Sequence, residues 1–144
     1  MKDAYTTAFH GIVRETQEKH GYELPVDLEH YVVMLLAVHI DKSNFLPQDS
    51  FAESYLKLQR PARLEAKELG DTCLFVTGVF PSLGERKGIK RSYYANIGKT
   101  SYSLVSETMN VTLFSSLSKH FDFLSNFIEI VIHSSKQQNY NLFR

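Results

Sequence analysis

The chain has 144 residues, 43% hydrophobic and 22% charged, which suits one folded domain with its own core and needs no disorder to explain it. Sixteen Lys and Arg balance sixteen Asp and Glu, which argues against a generally basic nucleic-acid-binding or membrane-surface protein. A single cysteine excludes an intrachain disulfide and any all-cysteine metal site.

Apolar residues recur at helical spacing through most of the chain, and no stretch alternates with the period of a strand. The first helix is expected over Asp3 to His20, with Tyr5, Ala8, Phe9, Ile12 and Val13 as its buried stripe. Gly21 supplies the stop, because the residue after a helix often takes a left-handed conformation. Gly11 is either a weak point or a place where another helix comes close.

The second helix starts at Pro25, with Asp27 and Glu29 near its positive end, and ends near Asp41–Ser43. From Leu28 to Val38 it is apolar nearly all round, so it is either central in the core or covered on its far side by a partner. Ser50 and Glu53 form a capping box that starts a short helix over Phe51 to Gln59.

Between Ala62 and Phe80 the residues Leu69, Cys73, Val76 and Phe80 keep a single helical seam across Gly70. That favours one continuous helix and a buried, inert Cys73. Pro81 to Arg91 reads as a polar loop. Ser92 is the expected cap of the next helix, whose stripe is Tyr94, Ile97, Tyr102, Val105 and Met109. Asn110 is expected to cap a last long helix, with Met109 and Phe114 as a hydrophobic staple. Leu113, Leu117, Phe121, Leu124, Ile128 and Val131 then give the clearest amphipathic stripe in the chain. Residues 135–144 read as a frayed polar tail.

The sum is an all-α single domain over residues 1–144, a bundle of about six helices. The N-terminus has no apolar segment of the signal-peptide kind, and the longest apolar run, Tyr31 to Val38, is far short of the roughly 20 residues of a membrane span. With one free cysteine, this favours the cytoplasm.

The stretch from Gly70 to Pro81, followed by Tyr93, Tyr94, Gly98 and Tyr102, forms a G-D-x-x-L-F-x-x-G-x-F-P…Y-Y-x-x-x-G-x-x-x-Y pattern. It resembles a group of small uncharacterised bacterial helical proteins, as does Leu24 to Tyr31. The resemblance spans residues 20–105. It implies a bacterial, cytosolic, mostly helical protein and carries no catalytic residue across. Read physically, the glycines suit close helix contacts and the tyrosines suit either a core or a pocket rim.

Candidate chemistry is sparse. Asp27 and His30, with Glu129 and His133, give only part of a carboxylate-bundle ligand set, so no metal site and no cofactor is expected. Gly84, Gly88 and Lys90 lack the spacing of a phosphate loop. Arg86, Lys87, Lys90 and Arg91 cluster before a helix start, with Tyr93 and Tyr94 following. Arg86, Arg91, Tyr93 and Tyr94 are therefore the speculative ligand- or partner-binding residues, with both arginines expected to be exposed.

Residues 1–56 carry a net charge of −5 and residues 57–99 a net charge of +5. That polarity serves either a head-to-tail contact between chains or neutralisation within one chain. The reading leans against an enzyme. It favours a protein–protein interaction or regulatory module, with a homodimer as one form, over a ligand-binding protein or enzyme with an anion-holding pocket near residues 80–94. A nucleic-acid-binding module is the weaker alternative, and no membrane partner is expected.

Overall fold

The computed structural model describes residues 2–43, 63–109 and 111–137. Among these the chain is all-α: α1 Lys2–His20, α2 Val26–Ser43, α3 Arg63–Val79, α4 Arg91–Met109, α5 Thr112–Lys119 and α6 Phe121–Gln137. The expected capping box at Ser50 and the helix over 51–59 lie outside the described residues, as do Asn110 and residues 138–144.

α1 ends where the glycine predicts. Gly21 has φ +72°, and the Tyr22 amide donates back to the Gln17 carbonyl at 2.9 Å. This is the closing bond of a left-handed helix stop. Phe9, Ile12 and Val13 are buried along the expected stripe, which packs on α2 and α6. Gly11 is exposed with open space beyond it, so the close-approach alternative fails there.

α2 is buried on most sides, with Val32, Leu36, Ala37 and Ile40 at zero exposure, and Val26 at its start and Met34 are its exposed large apolar residues among those described. The face left by the sequence for a partner is thus occupied inside this chain.

α3 is the centre of the bundle. It runs unbroken across Gly70, and every residue from Gly70 to Val79 is buried. It packs most extensively on α4, then on α6, and touches α2. Three glycines make this possible. A Cβ at Gly70 would sit 2.8 Å from the Tyr102 ring, one at Gly78 would lie 2.5 Å from Ile128, and one at Gly98 would overlap the Phe121 ring. Each glycine is the hole into which a neighbouring side chain fits, which is how helices carrying large residues come close.

Several local expectations are corrected. α4 starts at Arg91, so Ser92 lies in its first turn and does not cap it; the Tyr93 amide bonds the Lys90 carbonyl instead. The residue before α5 is Val111, extended and without a side-chain cap bond. Met109 is 49% exposed while Phe114 packs on Tyr31 and Tyr102, so the staple does not form.

The last helix is two helices, with His120 at φ −102°, ψ 19° between them. The stripe stays in phase across this bend, because periodicity reports which face is buried and not whether the axis turns. α6 continues to Gln137, and Ser135 is buried, so residues 135–137 belong to the folded bundle and not to a frayed tail.

Candidate functional site

The four residues nominated by the sequence do not form one site. The loop from Pro81 to Lys90 contains a single 3₁₀ turn, Glu85–Lys87, framed by Gly84 and Gly88, both left-handed. Arg86 is exposed on this turn. Tyr93 is 56% exposed, whereas Tyr94 is buried with its hydroxyl against Gly84. The Tyr94 ring braces the loop and is not open to a ligand.

Arg91 is a correction to the expected exposure. Its Nη2 donates to Ser125 Oγ at 2.9 Å and lies 3.2 Å from a Glu129 oxygen. Ser125 in turn donates to Thr77 Oγ1 at 3.0 Å, and Thr77 donates to the Leu74 carbonyl. The arginine that a loop reading offers to an anion instead ties the start of α4 to α6 and α3.

Asp71, on the buried half of α3, gathers three side-chain donors. Its Oδ1 accepts from Tyr31 Oη at 2.6 Å and Tyr102 Oη at 2.7 Å, and its Oδ2 accepts from Lys67 Nζ at 2.9 Å. Lys67 also lies 5.6 Å from the centre of the Tyr31 ring. Burial, then the Asp71 charge, pushes both phenols well above their ordinary range, so both stay protonated and donating. The hub joins α2, α3 and α4. A second buried carboxylate among the described residues, Glu29, accepts from Arg14 and Gln17. Cys73 has zero exposure, and burial pushes its thiol up to about 12, far from thiolate chemistry at neutral pH.

The G-D…Y pattern is therefore a packing device in this chain. Gly70 makes room for the Tyr102 ring, and Asp71 receives its hydroxyl.

An open groove of about 740 Å³ lies elsewhere, where the C-terminal turns of α1, α3 and α6 meet. Val79, Pro81, Ile130 and Ile132 supply its apolar part. Lys19, His20, His133 and Lys136 supply basic side chains, and Glu129, its acidic one, is held by Arg91. Beside it runs an aromatic series. His20 stacks on Tyr22, Tyr22 meets Phe123 edge-on at 5.1 Å, and Phe123 is 40% exposed.

Sequence reasoning missed this groove. Basic residues in the last turns of α1 and α6 were the available signal, but they also have an ordinary role in stabilising helix ends. Residues 19–20, 78–81 and 126–137 meet only through the packing of three helices.

Among the described residues, no three His, Cys, Asp or Glu side chains converge as a metal-ligand set, and no helix is long and apolar enough to cross a membrane. The described ion pairs, Arg14–Glu29, Lys67–Asp71, Arg91–Glu129 and Lys99–Asp122, do not join the acidic segment 1–56 to the basic segment 57–99. The Tyr31–Asp71 hydrogen bond does cross between them. No protein-family model, curated protein or solved structure matches the chain.

Proposed function

We propose that the chain is a non-catalytic module that binds a segment of another protein, and that it works in the bacterial cytoplasm alongside the small helical proteins its G-D…Y pattern resembles. The observation that carries this reading is the open groove between α1, α3 and α6, lined by apolar and basic side chains, with the exposed Phe123 ring reached from its His20 through Tyr22. Its volume, about 740 Å³, falls in the range of small-ligand sites, enough for one or a few side chains of a bound segment.

Two further observations support it. Among the described residues, the buried carboxylates Asp71 and Glu29 are engaged by internal donors, and the one thiol is buried. The helix α3, whose end lines the groove, is also tied to α2 and α4 through the Asp71 hub.

Of the four residues nominated for the second reading, an anion-holding pocket at residues 80–94, Arg86 and Tyr93 are exposed. Arg91 is half-buried and engaged by Ser125 and Glu129, and Tyr94 is buried. A homodimer built on α2 loses its main argument, since that helix is covered within the chain.

The test is selection of random peptides displayed on phage against the immobilised chain, followed by amide hydrogen exchange. The expected footprint covers residues 19–20, 78–81 and 126–137. Failure to enrich any peptide, or protection confined to residues 84–94, counts against the groove as the binding site.

A further inference from the structure

We infer that the segment seated in this groove is acidic and carries an aromatic or aliphatic anchor; the inference rests on the binding-module reading above. The argument begins with charge. Lys19, His20, His133 and Lys136 line the groove, and its acidic member, Glu129, faces the Arg91 guanidinium at 3.2 Å. Lys19, His20 and His133 are all exposed. A basic segment would meet like charge on both walls, at the α1 end and at the α6 end.

Helix C-termini carry partial negative charge, and the last turns of α1, α3 and α6 all line the groove. That charge fades within a turn, and some of the terminal carbonyls already have donors. The Tyr22 amide bonds the Gln17 carbonyl and the Phe80 amide bonds the Val76 carbonyl, each at 2.9 Å. The full charges of Lys19 at the α1 end and Lys136 at the α6 end therefore outweigh the partial charges at its base.

The anchor follows from the rest of the lining. Val79, Pro81, Ile130 and Ile132 give an apolar floor. Phe123 and Tyr22 extend the apolar surface next to His20. Acidic groups alone would leave this floor wet, whereas one aromatic or aliphatic side chain among them would cover it.

The experiment uses the full chain and two fluorescein-labelled peptides, six glutamates around one phenylalanine and its lysine counterpart, read by anisotropy. The glutamate peptide is expected to bind, and to weaken about fivefold or more as salt rises from about 50 to about 300 mM. Lys19→Glu and His133→Glu should each weaken it about tenfold with the circular-dichroism melt unchanged, while Lys19→Arg should retain binding. Arg86→Gln with Lys90→Gln should leave it within about twofold, because those residues sit on the separate 3₁₀ loop.

Equal binding of the lysine peptide, or loss in the loop variant with retention in the groove variants, overturns the inference. If neutral or basic phage-selected peptides protect the groove instead, the acidic assignment falls and the module reading stands. If no peptide protects the groove, both fall.

Discussion

Tyr31 on α2 and Tyr102 on α4 end on the same atom, Asp71 Oδ1, at 2.6 and 2.7 Å. Their rings meet nearly edge-on with centroids 6.4 Å apart, and Phe114 packs against both. A carboxylate in a buried helix carries a desolvation cost, and two phenols plus Lys67 offset it. Removing the carboxylate strands those donors. Asp71→Ala should destabilise by about 3 kcal/mol, because a buried donor left without its acceptor costs about 1–3 kcal/mol. Tyr102→Phe should cost about 1 kcal/mol, since it removes one bond and keeps the ring. Urea unfolding checks both; a cost for Asp71→Ala no larger than for Tyr102→Phe would show that the hub is not cooperative.

Alkaline pH should weaken the fold in two stages. Burial raises the Cys73 thiol to about 12 in the folded chain, and burial with the Asp71 charge raises both phenols. A raised folded-state value means that above the ordinary value the unfolded chain releases a proton that the folded chain keeps. Stability is therefore full below that ordinary value and falls as pH rises above it. The thiol contributes first, from about pH 8.5, with a slope near 1.4 kcal/mol per pH unit; the two phenols add above about pH 10. Urea midpoints from pH 7 to 11 measure the slope. Cys73→Ala should flatten the first stage and leave the second.

The glycines should sort by what surrounds them. Gly98→Ala drives a methyl into the Phe121 ring and against Cys73, and Gly78→Ala drives one into Ile128 at 2.5 Å. Overpacking of this kind costs about 1–3 kcal/mol and exceeds the roughly 1 kcal/mol that alanine gains in a helix. Gly11→Ala meets nothing within 4 Å in the middle of α1 and should stabilise by up to about 1 kcal/mol. Thermal melts of the three variants decide it, and a stabilised Gly98→Ala would mean that α4 and α6 can separate freely.

Arg91 and Arg86 should behave differently despite lying five positions apart. Arg91→Ala breaks the contacts to Ser125 and Glu129 and should cost about 1 kcal/mol. Arg86→Ala lies on the exposed 3₁₀ turn and should stay within about 0.5 kcal/mol of the parent. Equal melting temperatures for the two variants would count against the Arg91 tie.

Local pattern was enough for the helical class, for the Gly21 stop, for continuity across Gly70, and for the buried face that runs from Leu113 to Val131. Each of these depends on residues within a few turns, where side-chain spacing and backbone preference act directly. The bend at His120 escaped, since the same stripe is compatible with a straight or a turned axis. Asp71 read only as part of a motif, because its role depends on Tyr31, forty positions earlier, and Tyr102, thirty-one later. Arg91 read as a loop cation for the same reason: its partners are on α6. The groove at the ends of α1, α3 and α6 belongs wholly to tertiary structure. Helix periodicity says which side of a rod is dry; which rods become neighbours, and what their ends enclose, is decided by how glycine gaps and bulky side chains fit across the bundle.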